Sequence, residues 1–396
     1  MAKLPDILLP NHLKERLAGG HPWVYRDHIP KDVQLPTGSW VRLRCASWRG
    51  FGLWEAHGPI AVRIFSERYL PDTRWFEARL AAAWELRAPL REAGCTAYRW
   101  LFGESDGIPG ITIDLYGHFA IIQTYMEGAS TLLNWLVKSM QTIAPLQGIA
   151  LRTRHTDDIS SNADDHKIQL LWGDLPHQDY TVMEYGFLFH VDVRKGQKTG
   201  LFLDHRENRR YAETISQNKT VLNCFAYTGA FSLYALRGSA QHVTSVDIGK
   251  GLAGAAERNI ELNQLDAYRH EFITSDCFEV LNQYVKQERT FDVVILDPPS
   301  FAKNKQNRHA AVRAYTKLNT LAMRCVSPGG LLVTASCTSQ VIPEVFREML
   351  GNASANTDRR LQIIYEAGQP LDHPVLASFP EGRYLKFVVG RILTQQ

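Results

Sequence analysis

The sequence predicts an α/β fold for the C-terminal half of the chain, preceded by a β-rich segment and a central α+β segment. From about Gly196 onward, short apolar runs alternate with helical runs, which is the pattern of a parallel, doubly wound sheet. The first 72 residues instead contain short, partly alternating runs separated by Gly, Pro and Ser. Helix-rich sequence begins after the break at 70–72. We therefore expect three domains, over residues 1–72, 73–195 and 196–396.

Length and composition exclude several classes of protein. The chain has 396 residues, of which 45% are hydrophobic and 21% charged, as expected of a globular protein with several cores. No run approaches the roughly 18 apolar residues of a membrane span. The N-terminus lacks the apolar stretch of a secretory signal, and the six cysteines include no CxxC pair. These features predict a cytoplasmic protein with free thiols and no metal site.

Basic and aromatic residues are concentrated at the N-terminus. Residues 1–72 hold ten Lys/Arg against seven Asp/Glu, and four of the nine tryptophans: Trp23, Trp40, Trp48 and Trp54. This combination suits phosphate neutralisation with base stacking, and so RNA binding. The alternative is a small β-barrel whose tryptophans fill the core and whose arginines are merely solvated.

The elements expected in the first two segments follow in chain order. Residues 38–46, 50–56 and 60–66 are strand-like. A helix is expected over 74–94, then strands over 111–117 and 119–126, and a helix over 130–145. Strands over 148–155 and 168–173 flank a polar loop at 156–167.

The third segment gives the most regular pattern. Strands are expected over 220–225, 242–247, 271–276, 291–297 and 330–336, with helical runs between them. Two closing runs, 360–367 and 384–393, are expected to be edge strands.

The ends of the first three strands suggest a nucleoside cofactor. Asp247 ends the second strand about 20 residues after the first turn, the spacing at which a carboxylate accepts hydrogen bonds from both ribose hydroxyls. The first turn contains only Gly229, so the glycine-rich motif that admits a pyrophosphate is missing. S-adenosylmethionine, which has no phosphates, is therefore the leading candidate. Asp276 follows the third strand and could accept from the adenine amine; alternatively, both acids only cap helices.

The fourth and fifth strands end in residues suited to chemistry on a base. Asp297-Pro298-Pro299 exposes a carboxylate and prolyl carbonyls to an amino-bearing base, with Phe301 stacking nearby; the alternative is a rigid turn. Cys337 follows the fifth strand beside an expected helix start, whose dipole would stabilise a thiolate. Methylation of a pyrimidine at C5 needs such a thiolate, which adds to C6. The alternative is a small buried cysteine.

Together these motifs resemble the class I methyltransferases that form 5-methylcytosine in bacterial 23S ribosomal RNA, the large-subunit methyltransferase I type. The resemblance covers essentially the whole chain, from His21-Pro22-Trp23-Val24-Tyr25 through 103–114, 198–206 and 223–229 to Asp372-His373-Pro374. It implies a Rossmann-like methyltransferase domain, a PUA-type RNA-binding barrel and the central α+β domain. This chain differs from the family pattern at Tyr185, Ser300 and Thr338.

The resemblance also implies roles for individual residues. It makes Cys337 the nucleophile and Asp297 the residue that binds the edge of cytosine. The residues expected to bind the cofactor are Thr199, Phe202, Asp204, Arg206, Asn223, Phe225, Thr228, Gly229, Asp247, Asn263, Asp276, Asp297 and Pro298. Those expected to bind the substrate are Pro299, Phe301 and Tyr315.

The function expected from the sequence is therefore S-adenosylmethionine-dependent formation of 5-methylcytosine in 23S rRNA or a large-subunit precursor. Two alternatives stay open: methylation of a base nitrogen through Asp297-Pro298-Pro299 alone, and a non-catalytic rRNA-binding assembly factor. A homodimer is also left open.

Overall fold

The computed structural model describes residues 4–153, 167–194, 196, 199–301 and 307–394. The chain divides into two compact units. The first comprises Met1–Gly186, Val191–Leu203 and Leu371–Gly382, and the second Phe187–His190, Asp204–Pro370 and Arg383–Gln396. The expected 1–72 segment and most of the 73–195 segment thus fall in the first unit, where each builds its own sheet.

The first sheet has five strands in the order β1-β3-β4-β5-β2. They are β1 (Asp6–Leu8), β2 (Trp23–Tyr25), β3 (Trp40–Cys45), β4 (Trp48–Trp54) and β5 (Ile60–Ser66), with helix α1 (Lys14–Ala18) after β1. β1 pairs with β3 in parallel, and the other pairs are antiparallel. The three strands predicted over 38–66 are confirmed. β1 and β2 span three residues each, too few for an alternating pattern to reveal them.

The N-terminal tryptophans contribute to the interior of the first unit. Trp48 and Trp54 are buried in the core of the sheet. Trp40 packs against an aromatic ring at a centroid distance of 5.2 Å, and the indole N–H of Trp23 donates to a carboxylate at 2.8 Å. Trp48 and Trp54 thus fit the tryptophan-core alternative, whereas Trp23 and Trp40 are half-buried.

The second sheet of the first unit has the order β10-β9-β8-β7-β6. Its strands are β6 (Ala97–Phe102), β7 (Ile111–Tyr116), β8 (Phe119–Thr124), β9 (Gly148–Thr153) and β10 (Lys167–Gly173), with helix α4 (Leu133–Ile143) between β8 and β9. The predicted strands and helix are confirmed, and β6 is an addition. Residues 154–166, which include most of the predicted polar loop, lie outside the described residues. β11 (Tyr180–Glu184) completes the strands of this unit.

The single helix expected over 74–94 is wrong, because the segment forms two helices, α2 (Thr73–Leu86) and α3 (Ala88–Glu92). Pro89 lies in the first turn of α3, where its missing N–H and fixed φ prevent a continuous helix. Arg87 is fully buried at this corner and donates to both carboxylate oxygens of Asp106, at 2.9 and 2.7 Å. This paired, buried charge fixes the corner.

The second unit is built on a seven-stranded sheet in the order β15-β14-β13-β16-β17-β19-β18. Its strands are β13 (Thr220–Cys224), β14 (His242–Asp247), β15 (His270–Thr274), β16 (Phe291–Leu296), β17 (Val326–Ser336), β18 (Arg359–Ala367) and β19 (Lys386–Thr394). The preceding β12 (Phe187–Val191) falls mostly in this unit. Neighbours among β13 to β17 pair in parallel, which confirms the predicted doubly wound sheet.

Helices follow the strands of this sheet as the alternating pattern predicts. They are α5 (Arg206–Thr214), α6 (Ala230–Arg237), α7 (Leu252–Leu262), α8 (Cys277–Lys286), α9 (Arg308–Arg324) and α10 (Pro343–Ala355). α5 and α10 are additions to the predicted set. Within the described ranges, no helix has both the length and the hydropathy that crossing a membrane requires.

The expectation of two closing edge strands is half wrong. β18 is the edge of the sheet, but β19 lies between β17 and β18 and pairs with both in antiparallel orientation. Most of the apolar side chains of β19 are buried, as expected for an interior strand.

A chain of hydrogen-bonded polar side chains in the second unit connects β13, α6, β14 and β15. The amide of Asn223 donates to Ser232 at 2.9 Å, the hydroxyls of Ser232 and Ser245 lie 2.7 Å apart, and Ser245 lies 2.8 Å from Nε2 of His270. Burial, aided by the nearby His242, lowers the pKa of His270 to about 4. His270 is therefore neutral in the folded protein at physiological pH.

We expect His270→Gln to flatten the pH dependence of stability between pH 6.5 and 4, the unperturbed and folded pKa values of His270. The unfolded state binds more protons in this range, so the stabilisation is complete above pH 6.5 and is lost as the pH falls toward 4. The wild-type free energy of unfolding should fall by up to about 3 kcal/mol from this group. Urea unfolding at several pH values measures the effect, with the exposed His309→Gln as control. Equal pH slopes for wild type and His270→Gln would contradict it.

Candidate active site

The carboxyl ends of β14, β15, β16 and β17 bring the predicted acids and Cys337 to one edge of the second unit, and β13 lies between β14 and β16. Cys224 on β13 is in register with Val246 on β14 and Leu296 on β16. The residues that follow these positions, Asp247 and Asp297, therefore flank the turn after β13. This is the switch point of the sheet, where the strand order reverses and ligands of open α/β sheets bind.

The turn after β13 has an unusual backbone. Phe225, Tyr227 and Gly229 have φ values of 61°, 49° and 80°. A Cβ on Gly229 would lie 3.1 Å from Cβ of Ala256 on α7, so this position needs glycine for both its φ and its packing. The N–H of Phe225 donates to Sγ of Cys277 at 3.2 Å. The one glycine of this turn thus serves the close approach of two helices.

Asp247 is fixed by the backbone around it. Its Oδ2 accepts from the N–H of Tyr227 and its Oδ1 from the N–H of Gly249, both at 2.9 Å. Each carboxylate oxygen can accept more than one hydrogen bond, so the half-buried carboxylate retains capacity for two hydroxyls. The arrangement fits a ribose.

Asp276 has the capping role that the sequence left as an alternative. Its Oδ1 accepts from the N–H groups of Phe278 and Glu279, at 2.8 and 3.1 Å, at the start of α8. A role toward an adenine amine then falls to Oδ2.

Asp297 has a neighbour that the sequence did not single out. Nε2 of His205 lies 3.2 Å from its Oδ1, and His205 is buried. The amide of Asn208 lies 3.1 Å from Nδ1 of His205, which makes Nδ1 the acceptor and leaves the proton on Nε2, facing Asp297. The position of His205 between Asp204 and Arg206, both predicted site residues, was the available signal.

The residues after Asp297 form a partly apolar surface. Pro298 is buried and Pro299 exposed. The half-buried ring of Phe301 lies 4.7 Å from that of Tyr315 and 6.3 Å from that of Phe278. Tyr315 is fully buried, and burial raises the pKa of its hydroxyl. The ring of Tyr315 therefore supports that of Phe301, and its expected contact with the substrate stays a prediction.

Cys337 differs from the other five cysteines, which are buried, by being partly exposed. The expectation that it lies beside a helix start is wrong. The next helix, α10, begins only at Pro343, and a helix dipole acts within about one turn of its end. The cation near Cys337 is Lys386, a residue that the sequence analysis missed because it lies on the distant strand β19.

Several other predicted cofactor residues form hydrogen bonds that hold the fold. The amide of Asn263 accepts from the N–H of Leu188 at 2.8 Å and donates to its carbonyl at 2.7 Å. The carbonyl of Thr228 accepts from Asn259 on α7 at 3.1 Å. The side chain of Asn223 is buried in the polar chain described above. The geometry gives the side chains of Asn263 and Asn223 structural roles.

The segment 198–206, which contains four of the residues expected to bind the cofactor, is divided between the two units. Asp204 and Arg206 lie in the second unit and are buried, and Oδ2 of Asp204 accepts from the hydroxyl of Tyr384 at 2.6 Å. Thr199 and Phe202 lie in the first unit. The hydroxyl of Thr199 donates to Asp114 at 2.7 Å and lies 2.6 Å from the hydroxyl of Tyr116. Lys198 lies outside the described residues.

Comparison with known proteins identifies the class. A family model described as S-adenosylmethionine-dependent methyltransferase matches residues 111–375, and a PUA-like domain model matches residues 7–67. A methyltransferase crystallised with SAH has a TM-score of 0.87 at 23% identity, covering 98% of this chain and 100% of its own. An S-adenosylmethionine-dependent methyltransferase from Streptococcus mutans has a TM-score of 0.85 at 21% identity, covering 98% and 100%. The protein is an α/β methyltransferase with an N-terminal PUA-like domain, and S-adenosylmethionine is its cofactor.

Full-length relatives identify the family. The ribosomal RNA large subunit methyltransferase I of Pseudoalteromonas translucida (strain TAC 125) is 35% identical over 379 residues, 94% of this chain and 95% of its own. That of Salmonella paratyphi C (strain RKS4594) is 33% identical over 401 residues, 98% of each chain. The chain belongs to the ribosomal RNA large subunit methyltransferase I family. The predicted fold and cofactor are thereby confirmed.

The two roles of Asp276 can be separated by substitution. Asp276→Ser keeps a capping oxygen, so stability should stay within about 0.5 kcal/mol, whereas Asp276→Ala should lose about 1 kcal/mol. If Oδ2 binds the adenine amine, both variants should bind S-adenosylmethionine about tenfold more weakly, because a charged hydrogen bond is lost. Calorimetric titration and thermal unfolding measure the two effects. Wild-type affinity in Asp276→Ser would leave Asp276 only its capping role.

Proposed function

We propose that this protein forms 5-methylcytosine in 23S ribosomal RNA or a large-subunit precursor, with Cys337 as the nucleophile. The observation that carries the proposal is the partly exposed thiol of Cys337 on the same sheet edge as Asp297 and Asp247. The names of the full-length relatives support a ribosomal RNA substrate. They do not specify the base or the atom.

In the proposed reaction, the thiolate of Cys337 first adds to the base and later leaves it. Its sulfur lone pair forms a bond to C6 of cytosine, and the C5=C6 π electrons move to C5. S-adenosylmethionine, when bound, supplies a methyl group on a sulfonium sulfur, and C5 takes this methyl while the electron pair of the broken bond stays on that sulfur. Loss of the C5 proton to a base restores C5=C6, and the S–C6 bond breaks to release the thiolate.

Asp297 is the proposed anchor of the cytosine edge. Its carboxylate accepts from the exocyclic amine, and Nε2 of the buried His205 lies 3.2 Å from its Oδ1. The exposed Pro299 and half-buried Phe301 offer apolar surface to the base. Asp247 is the proposed partner of the cofactor's ribose, with Asp204, Arg206, Phe225 and Pro298 of the same unit as further proposed contacts. The cofactor contacts of Thr199 and Phe202 stay predictions.

RNA binding is assigned to the PUA-like domain within residues 1–72. Arg44 on β3 and Arg49 on β4 are exposed and stand directly opposite each other in the antiparallel pair. Like charges in this position are destabilising, and the carboxylate of Asp6 lies 3.9 Å from Nε of Arg44. We assign this pair to phosphate contacts with the RNA. Homodimerisation stays a prediction.

The proposed reaction is tested by nucleoside mass spectrometry. Unmodified 23S rRNA is incubated with the protein and methyl-deuterated S-adenosylmethionine, and label is expected in 5-methylcytidine. Cys337→Ala should abolish the label but retain cofactor binding, because the thiol is needed only to activate C5. Cys224→Ala is the matched control, since Cys224 is buried in the core of the same unit.

Other labels would decide between the alternatives. Label in a nitrogen-methylated base, retained in Cys337→Ala, would contradict the C5 reaction and favour methylation through Asp297-Pro298-Pro299. The absence of label on both naked rRNA and large-subunit precursor particles would favour the assembly-factor alternative.

The role of the arginine pair is tested by the salt dependence of RNA binding. Arg44→Gln with Arg49→Gln removes two phosphate contacts, so the slope of log affinity against log salt should decrease by about 1.4 to 1.8. The exposed Arg258→Gln on α7 is the control. An unchanged slope in the double variant would contradict phosphate binding by this pair.

A further inference from the structure

Lys386 is a buried lysine beside the candidate nucleophile. Lys386 is on β19 and lies opposite Ser336 of the antiparallel strand β17. Ser336 is the residue before Cys337. Only 4% of the surface of Lys386 is exposed. Its Nζ donates to the carbonyl oxygen of Thr338 and, at 2.7 Å, to that of Tyr384. The ammonium group is thus held between Thr338, the residue after Cys337, and Tyr384.

This ammonium group has no carboxylate partner in the part of the chain that the structure describes. Its hydrogen bonds are to two neutral carbonyl groups, which do not neutralise the charge. Buried charges are rare in proteins unless they are paired or perform a reaction. The nearby anion-forming group is the thiol of Cys337.

We propose that Lys386 is a positioning residue that stabilises the thiolate of Cys337 through its ammonium charge. The inference rests on the proposed function, in which this thiolate attacks C6 and is later released. Lys386 stays protonated throughout: the thiol proton goes to solvent, and the charge of the ammonium offsets that of the thiolate both before addition and after elimination.

The charged and titratable groups around this pair are consistent with that role. Burial is the main cause that lowers the pKa of Lys386, which is about 8; a thiolate at Cys337 raises this pKa, and the exposed Arg383 lowers it. That coupling is reciprocal, so the ammonium favours ionisation of the thiol. Tyr315 stays neutral because burial raises the pKa of its hydroxyl, and the negative charge of Asp297 has His205 as its neighbour.

The proposal is tested by the pH dependence of Cys337 alkylation with iodoacetamide, followed by peptide mass spectrometry of the full-length protein without RNA. Lys386→Met keeps the unbranched stem but removes the charge, and Lys386→Gln keeps a hydrogen-bond donor. In both variants, alkylation at pH 7 should be about tenfold slower than in wild type, because a nearby opposite charge lowers the pKa of a thiol by about one unit or more. The rates should converge at high pH, where Lys386 has lost its proton and no longer favours the thiolate.

Two controls separate electrostatics from damage to the fold. Lys286→Met removes an exposed lysine of the same unit and should alkylate like wild type. The buried Cys224, Cys277 and Cys325 should stay unmodified in every variant, and their reaction would report unfolding. If one Lys386 variant unfolds, the other decides. Wild-type alkylation of Cys337 in a folded variant would overturn the proposal.

A kinetic measurement distinguishes this proposal from the proposed function. In single turnovers, Lys386→Met should lower the methylation rate about tenfold at pH 7, recover it as the pH rises, and leave the KM for RNA unchanged. A pH-independent loss would mean that Lys386 acts only on structure. Altered alkylation together with a fully active Cys337→Ala would instead overturn Cys337 as nucleophile, while the electrostatic effect of Lys386 would stand.

Discussion

The parallel pairing of β13 with both β14 and β16 is the constraint on which the rest of the site depends. Register sets Cys224 beside Val246 on one side and Leu296 on the other. Each strand then ends at the same level, so Asp247 and Asp297 meet the same turn. The left-handed backbone of that turn directs the N–H of Tyr227 at Asp247. A slip of one residue would remove both acids from this edge.

Charged side chains of the second unit interact with residues from distant parts of the chain. Asp297 has His205, which precedes β13, and Asp204 accepts from Tyr384, which lies between β18 and β19. Lys386 comes from β19, almost at the end of the chain. In a medium of low dielectric constant, each of these groups changes the ionisation of its neighbour more than it would in water. The chemistry at the sheet edge therefore depends on segments that have no motif of their own.

The first unit divides the work of its aromatic and basic residues. The tryptophans stabilise cores and contacts within the unit, whereas Arg44 and Arg49 stay on the surface. A small sheet of short strands buries little area, so large aromatic side chains are an efficient source of its stability.

The sequence by itself determined the strand and helix order, the carboxyl-edge positions of Asp247, Asp276, Asp297 and Cys337, and the cofactor, because alternation and strand-end residues are local signals. Only tertiary structure decided which role each group takes. It made Asp276 a cap, buried Tyr315 and placed β19 inside the sheet. His205 and Lys386 escaped prediction because their partners are distant in the chain, and long-range pairing leaves no trace in local pattern.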